Sequence, residues 1–301
     1  MTQSRWRALV ALADTGSVRA AATRLTVTES AVSAAVSALA RELRVPLVEP
    51  AGRGLRLTPS GAVYARYARR VLGLLAEAAA AAAGELDPER GRLRLAAVTT
   101  AGEHVLPSLL AAFRRQNPQV DLALEVAPSA EVWDLLAAHE ADLVIAGRPP
   151  AEVEARVLAT MDNELVAAAE HEVARSFDWA TTPWLMREHG SGTRTTLETY
   201  LQAREVAPPR LVLGSNGAVI AGAVAGLGAT LVSRDGIADL LAAGRLVVLD
   251  VPATPLSRPW HAVTGSHPSA TTRLFVHHLV AAGWIPSGFP PAGDATAVPA
   301  T

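Results

Sequence analysis

The sequence contains no cysteine, no lysine and no hydrophobic run of membrane-spanning length. Without cysteine, disulfides, thiolate metal sites and cysteine nucleophiles are excluded. Because lysine is absent, all 27 basic residues are arginine, a bias that we attribute to GC-rich coding DNA. The N-terminal segment has no signal-peptide core, and the alanine run at 78–83 is too short to cross a bilayer. We expect a cytoplasmic protein with no membrane partner.

Enzyme motifs are also missing from the sequence. There is no GxSxG nucleophile elbow, no P-loop and no distinctive pair of carboxylates. His277 and His278 are adjacent, so on a helix they point in different directions and do not suggest a metal site. The sequence predicts neither an enzyme nor a cofactor or metal centre.

Charge is distributed unevenly along the 301 residues, although the net charge is only -2. Residues 1–70 hold 11 arginines and four acidic residues, a balance of +7, whereas residues 71–301 have a balance of -9. A small basic unit joined to a larger acidic one favours a polyanion-binding module attached to a sensing or catalytic module.

The basic region has the pattern of a helix-turn-helix. Apolar residues at helical spacing predict a first helix that ends near Gly16, and Ser17 can cap a second helix over 18–25. Thr28 can cap a third helix, which in a helix-turn-helix enters the major groove of DNA.

The third helix divides into two faces. Its apolar stripe, predicted to face the core, is Val32, Val36, Leu39 and Leu43. The small, polar or charged positions left for DNA are Thr28, Glu29, Ser30, Ser33, Ala34, Ser37 and Arg41, together with Ser17 on the second helix. Periodicity alone equally allows a packed helix rich in Ala and Ser that reads nothing.

A wing and a long helix follow. The stretch GRGLRLTPSG at 52–61 predicts two strands closed by Arg53-Gly54, with Arg53 and Arg56 beside phosphates, after Pro46–Pro50 has ended the third helix. Thr58 and Pro59 then begin a helix predicted over 59–84, which Gly84 ends. We expect self-pairing through an apolar face, although a rigid unpaired spacer is the alternative. That face is formed by Tyr64, Tyr67, Val71, Leu74 and Leu75.

The order of these residues resembles the winged helix-turn-helix of LysR-type transcriptional regulators. The matching positions include Gly16-Ser17, Ala20-Ala21-Ala22, Ala31-Val32-Ser33, Val45-Pro46-Leu47, Gly52-Arg53-Gly54 and Leu57-Thr58-Pro59-Ser60-Gly61. The resemblance implies a dimer or tetramer, DNA recognition by residues 1–58, and an effector domain behind the linker helix. RNA polymerase is a candidate further partner of this class. The chain departs from the family's common pattern at Glu29, Ala34 and Ala35, which affects the half-site sequence.

Residues 92–286 alternate between predicted strands and helices, as in a parallel α/β sheet. Predicted caps are Thr100, in a capping box with Glu103, and Ser129. The alternation occurs once before and once after residue 160, which resembles the two-lobed type 2 periplasmic-binding-protein fold. The fold class is thus α+β overall, and the Pro- and Ala-rich residues 287–301 are predicted to be disordered.

Ligands of open α/β lobes bind beyond the carboxyl ends of strands, where helices begin. Each Ser or Thr at such a position is on its own more simply a helix cap, but several converge here, most clearly in HGSGTR at 189–194. The candidate effector residues are Thr99, Thr100, Gly147, Arg148, Ser191, Gly192, Thr193, Arg194 and Ser215, with Arg148 or Arg194 as the counter-charge.

We therefore expect a regulator that binds an interrupted inverted repeat in double-stranded DNA and senses a small anionic metabolite. One alternative is an effector-independent regulator with a degenerate cleft, of which Ala130 is one sign. A transport binding protein is a second alternative, which the N-terminal DNA-binding pattern opposes.

Overall fold

The structure is a computed structural model that describes residues 2–51 and 54–287. Its contacts separate the chain into two units, residues 1–82 with 137–140, and residues 83–136 with 141–301. No helix among the described residues is long and apolar enough to cross a membrane. The fold is the predicted combination of a helix-turn-helix and a two-sheet α/β region.

The N-terminal unit begins with the three predicted helices, α1 Gln3–Thr15, α2 Val18–Leu25 and α3 Glu29–Leu43. The Ser17 hydroxyl caps α2 by accepting the Ala20 N–H at 3.1 Å, and the Thr28 hydroxyl caps α3 by accepting the Ala31 N–H at 3.2 Å. The three helices bury a shared core of Leu9, Leu12, Ala21, Val32, Val36 and Leu39. The predicted apolar stripe of α3 is therefore its packing face.

The wing consists of strands β1 Val48–Ala51 and β2 Gly54–Leu57, which pair antiparallel. The prediction that residues 46–50 end α3 was wrong. The helix ends at Leu43, because Arg44 adopts the left-handed conformation with φ 57°, and Val48–Ala51 form the first wing strand. The turn at Gly52-Arg53, including the predicted phosphate contact Arg53, lies outside the described residues.

Helix α4 spans Pro59–Leu86, or 28 residues. Thr58 begins it as predicted, since its hydroxyl accepts the Gly61 N–H at 2.9 Å and donates to the Pro46 carbonyl at 2.7 Å. The predicted end at Gly84 was two residues early, because one glycine costs a helix only about 1 kcal/mol and does not end it by itself. At ~1.5 Å per residue, the helix is about 42 Å long.

The C-terminal unit contains two six-stranded sheets, each of which defines a lobe. The first sheet has the order β14-β6-β13-β5-β3-β4. Its strands are β3 Arg92–Val98, β4 Asp121–Ala127, β5 Leu143–Ala146, β6 Arg156–Met161, β13 Trp260–Thr264 and β14 Ile285–Pro286. Helices α5 Leu106–Gln116, α6 Ser129–Ala137 and α11 Ala270–Ala281 belong to the same lobe.

The second sheet has the order β11-β7-β10-β8-β9, and β12 also pairs with β7. Its strands are β7 Glu164–Ala169, β8 Trp184–Met186, β9 Arg210–Val212, β10 Ala229–Ser233, β11 Val247–Val248 and β12 Leu256–Ser257. Its helices are α7 His171–Arg175, α8 Gly192–Ala203, α9 Asn216–Val224 and α10 Ala238–Ala242.

Both sheets are mixed, which corrects the prediction of a parallel sheet. Parallel pairing is limited to three neighbouring strands in each sheet, β4, β3 and β5 in the first and β10, β8 and β9 in the second. The division near residue 160 was also incomplete, because the chain returns to the first sheet at β13. The lobes are joined by two crossings. There the Arg258 backbone N–H donates to the Asn163 carbonyl at 2.8 Å, and the Asn163 side-chain Nδ2 donates to the Arg258 carbonyl at 2.9 Å.

Two predicted helix caps are not caps. Thr100 has helical backbone angles of φ -63° and ψ -42°, and it is followed by a π-helical segment at Ala101–Val105 before α5 begins. Ser129 is the first residue of α6 and not its cap. Sequence periodicity does not distinguish a π turn from an α turn, so the capping-box pattern was misleading here.

Candidate DNA-binding surface and effector cleft

The side of α3 opposite its packing face is open. Glu29, Ser30, Ala34, Ser37 and Arg41 are exposed, and Ser33 is partly exposed. These side chains are mostly short, so the helix backbone can approach a groove closely. The structure thus leaves the predicted DNA-reading positions accessible, while Ser17 and Thr28 serve as helix caps with exposed side chains.

Arg56, the described arginine of the wing, has a partner in its own unit. Its Nε donates to Glu49 Oε1 at 2.7 Å across the β1–β2 pair. The ion pair is open to solvent, with 70% of the Arg56 side chain and 41% of the Glu49 side chain exposed. A phosphate at this site would compete with Glu49.

Helix α4 presents an apolar face to solvent. Tyr67, Val71, Leu74 and Leu75 are exposed, and Val63 extends the face by one turn. Tyr64 differs from this prediction, because it packs against the core of the helix-turn-helix and its hydroxyl accepts the Trp6 indole N–H at 3.1 Å. We use the name linker face for Val63, Tyr67, Val71, Leu74 and Leu75.

A cleft between the two lobes gathers most of the predicted effector residues. It is formed at the end of β3, the start of α6, the start of α8 and the second crossing. Its free volume is about 20 Å³, room for one water molecule. The lining residues are Val98, Thr99, Thr100, Ala127, Pro128, Ser129, Arg187, Ser191, Gly192, Thr193, Arg258 and Trp260.

Five predicted residues, Thr99, Thr100, Ser191, Gly192 and Thr193, line this cleft. The Ser191 hydroxyl caps α8 by accepting the Arg194 N–H at 3.5 Å. Ser215 instead caps α9, where its hydroxyl accepts the Ala218 N–H at 3.1 Å, and it is not among the lining residues.

The predicted counter-charges lie elsewhere. Arg194 pairs with Glu198 at 2.9 Å and donates to the Arg187 carbonyl at 3.1 Å. Neither Arg194 nor Arg148 lines the cleft. Arg194 thus contacts the backbone of the site, and the two arginines that line the cleft are Arg187 and Arg258.

Arg187 follows strand β8 and is only 6% exposed. Glu188 binds it through two hydrogen bonds, Nε to Oε2 at 2.8 Å and Nη2 to Oε1 at 2.6 Å. Longer contacts of 3.4 Å join Arg187 to the Thr99 hydroxyl of the first lobe and to Asn216 Oδ1 of the second. Burial opposes ionisation of Glu188, but hydrogen bonds and charges from Arg187 and Arg194 hold the pKa of Glu188 below its usual value.

Arg258 reaches the cleft from the second crossing. Its guanidinium has no ion-pair partner within the described part of the chain, and burial lowers its pKa. It lies against Gly147 and Gly192, and a Cβ at Gly147 would be only 3.1 Å from Nη2. Glycine at these two positions therefore gives the guanidinium its space, and Gly192 is the first residue of α8.

Two further groups show the positive character of the cleft. The Trp260 indole N–H is buried and finds no hydrogen-bond acceptor among the described residues. Burial lowers the pKa of the His261 imidazole, the charges of Arg148 and Arg258 lower it further, and a hydrogen bond to the Pro259 carbonyl only partly opposes this shift. The cleft therefore has two guanidinium groups in its lining and a buried indole N–H without an acceptor among the described residues.

Family models match both units of the chain. A model described as "Bacterial regulatory helix-turn-helix protein, lysR family" matches residues 4–62, and "LysR substrate binding domain" matches residues 86–284. The regulator CbbR of Rhodospirillum rubrum is 35% identical over 269 residues, with 87% of this chain and 90% of CbbR covered. A RuBisCO operon transcriptional regulator of Acidithiobacillus ferrooxidans is 32% identical, with 87% and 88% covered.

Solved structures agree with these matches. The regulatory domain of Synechocystis PCC6803 CcmR, solved in complex with 2-PG, is 29% identical with a TM-score of 0.58, and covers 64% of this chain and 96% of that domain. Full-length CbnR in complex with its target DNA is 21% identical with a TM-score of 0.65, and covers 93% of this chain and 99% of CbnR. The second similarity supports the fold alone.

Proposed function

Because this chain belongs to the LysR family of transcriptional regulators, we propose that its C-terminal unit binds a small anionic metabolite in the cleft between the lobes. The N-terminal unit binds double-stranded DNA through α3 and the wing, and the bound metabolite changes how the DNA is held. Family membership supports the regulatory role, and the geometry of the cleft supports an anion as the ligand.

The observation that supports an anion most strongly is the position of Arg258. Its guanidinium lies beside Gly192 at the N-terminus of α8, where the helix dipole is positive, and no carboxylate among the described residues pairs with it. A buried charge is costly unless it is paired. An anion between Arg258 and the start of α8 would interact favourably with both, because helix N-termini bind anions.

Hydroxyl and N–H groups can complete the site. Thr100 and Ser191 are 7% and 4% exposed and line the cleft from opposite lobes. Arg187 adds a second guanidinium, although Glu188 already occupies two of its N–H groups. A ligand held by these groups would contact both lobes, so its binding would favour one relative arrangement of the lobes.

The ligand class is a small carboxylated or phosphorylated metabolite. The cleft is nearly filled in this structure, so the lobes must separate slightly before a ligand enters. The CcmR regulatory domain was solved in complex with 2-PG, which makes 2-PG a suitable first probe for this chain.

Thermal unfolding of the full-length protein tests the proposal. We expect one or more anions in a panel that includes 2-PG, orthophosphate and small carboxylates to raise the melting temperature, since a ligand that binds only the folded state stabilises it. Arg258→Gln should abolish the shift. Arg115→Gln is the matched control, because Arg115 is an exposed residue of α5 that does not line the cleft.

An effector-independent regulator remains the second candidate, supported by the small free volume of the cleft. In that case the Arg258 side chain occupies the cleft permanently, and no ligand binds there. The same panel separates the two functions, because a filled cleft predicts no stabilisation by any anion, and stabilisation that persists in Arg258→Gln would place the ligand elsewhere.

Assembly and the DNA site belong to the same proposal. We infer that the linker face pairs with that of a second copy, which would place two helix-turn-helix units about one helical turn apart on an interrupted inverted repeat. The assembly is a dimer or a tetramer, and RNA polymerase is a candidate further partner at the promoter.

A further inference from the structure

A second concave surface lies beside the effector cleft, along the side of α9. We call it the α9 groove, and its walls are Ile220, Val224 and Leu240, with the small residues Gly217, Ala221 and Ala225 between them. Its volume of about 610 Å³ falls in the usual range for small-molecule sites. The π-helical segment of the first lobe contributes the remaining edge.

The rim of the α9 groove carries polar groups of both lobes. Glu103 and His104 come from the π-helical segment, and Arg245 follows α10 in the second lobe. Arg245 is exposed and has no ion-pair partner within residues 2–51 and 54–287, whereas His104 lies 3.8 Å from Glu103. Apolar walls with a free guanidinium at one end suit a molecule that has an apolar part and a negative group.

Asn216 gives an independent indication of a ligand. The residue lines the α9 groove and is only 4% exposed. Its Oδ1 must face Arg187 Nη1, which lies 3.4 Å away and can only donate. This orientation leaves the buried Nδ2 without an acceptor among the described residues, an arrangement that is unfavourable unless a ligand or water supplies one.

We propose that the α9 groove binds a small amphipathic carboxylate, whose apolar part lies on Ile220, Val224 and Leu240 and whose carboxylate accepts from Asn216 and faces Arg245. The site is distinct from the effector cleft, because Asn216 lines only the groove and Arg187 lines only the cleft. Asn216 nevertheless joins the two through its contact with Arg187. Occupancy of the groove would therefore alter the affinity of the cleft, a consequence that rests on the proposed function.

The experiment is a saturation-transfer NMR titration of the full-length protein with hexanoate and with benzoate. Ala221→Trp fills the groove from an exposed position, and we expect it to weaken binding at least about tenfold. Ala218→Trp is the matched control, since Ala218 is exposed on the same helix but does not line the groove. It should leave the affinity unchanged.

Asn216→Asp tests the chemistry of the site, because it keeps the shape of the side chain and replaces the donor with a negative charge. We expect it to abolish carboxylate binding, while Arg258→Gln in the cleft leaves hexanoate binding intact. This last variant separates failure of the groove from failure of the proposed cleft function.

Three results would overturn the proposal. The first is that the wild-type protein binds neither probe up to about 10 mM. The second is that Ala221→Trp binds the probes as strongly as the wild type does. A changed oligomeric state in Ala221→Trp, without probe binding by the wild type, would assign the α9 groove to contact with a second copy.

Discussion

Arg258 combines two roles that normally oppose each other at one residue. Its charge is partly buried and has no ion-pair partner among the described residues, and it is the proposed anchor of the ligand. Binding sites often retain such locally unfavourable groups because the ligand, and not the fold, supplies the compensation. The free protein is then less stable than its core alone would permit.

We therefore expect Arg258→Leu to stabilise the ligand-free protein. Replacing a partly buried charge that has no ion-pair partner by an apolar side chain removes the desolvation cost of that charge, and we expect the melting temperature to rise by about 2–4 °C. Thermal unfolding in a buffer without multivalent anions measures the change. A clear decrease would mean that Arg258 has a stabilising interaction in the free protein.

His261 predicts a pH dependence of anion binding. Because its pKa is held below the usual value by burial and by Arg148 and Arg258, the imidazole is neutral near pH 7, and its contribution to stability is lost as the pH falls below about 6.5. An anion beside Arg258 would offset the positive field and raise this pKa. Binding would then take up a proton, so affinity should increase with falling pH.

Calorimetric titration with sulfate between about pH 7.5 and pH 5.5 measures this effect, since sulfate keeps its charge in that range. We expect His261→Gln to flatten the dependence and the exposed His267→Gln to leave it unchanged. An identical pH profile for wild type and His261→Gln would contradict the assignment.

For individual residues, the sequence predicts which hydroxyl side chains line the cleft better than it predicts which charged side chains do. Ser191, Thr99 and Thr100 could be found because a hydroxyl at the end of a strand or the start of a helix is a local signal. Arg258 could not, because its place in the cleft depends on the return of the chain from β12 to β13, about a hundred residues after β5. Arg187 could not be found either, because its contacts with Thr99 and Asn216 join residues that are far apart in the sequence.

Among the elements, α4 carries the clearest structural consequence. Its linker face exposes one aromatic and four aliphatic side chains, with Tyr67 61% and Leu74 51% exposed. A helix with such a face usually packs on another element. We expect Leu74→Glu to convert the assembly to a smaller species, as measured by light scattering after gel filtration.

Ala62→Glu is the control for this helix, because Ala62 is exposed but does not belong to the linker face. It should leave the oligomeric state unchanged. A full-length wild type that is already monomeric at micromolar concentration would remove the basis for pairing through α4.

The wing gives a second prediction for an element. Glu49 pairs with Arg56 and places a negative charge where DNA phosphates would approach. Glu49→Gln should therefore strengthen binding to any DNA sequence by about threefold and steepen its salt dependence, whereas Arg56→Ala should weaken all sequences equally. Fluorescence anisotropy with promoter DNA and with random DNA would measure these changes in affinity. A gain in affinity restricted to promoter DNA would contradict a phosphate contact.

Elements with a strong local signal were predicted well. Helices α1 to α3 follow from apolar spacing and from caps at Ser17 and Thr28, which lie within one turn of the residues they hold. The position of wing strand β1 and the π turn after Thr100 were not predicted. Strand β1 has only four residues and contains Pro50, and the π turn differs from an α-helix only in its hydrogen bonds.

At the scale of the whole molecule, the two chain crossings at Asn163 and Arg258 link the proposed ligand cleft to the connection between the lobes. They are the only chain connections between the lobes in the described range 92–287, and they lie beside the cleft. The antiparallel strands that complete each sheet come from distant parts of the sequence, which explains why alternation alone suggested purely parallel lobes. A ligand that draws the lobes together would act on these two short connections.

The most direct test of the account measures DNA bending by energy transfer across a fragment of the protein's own promoter region. The anion that stabilises the wild type is added to the protein–DNA complex, and the same titration is made with Arg258→Gln. We predict a changed end-to-end distance or a several-fold change in affinity for the wild type, and none for the variant. An unchanged complex with every anion of the panel, or an equal response in Arg258→Gln, would contradict anion sensing in the cleft.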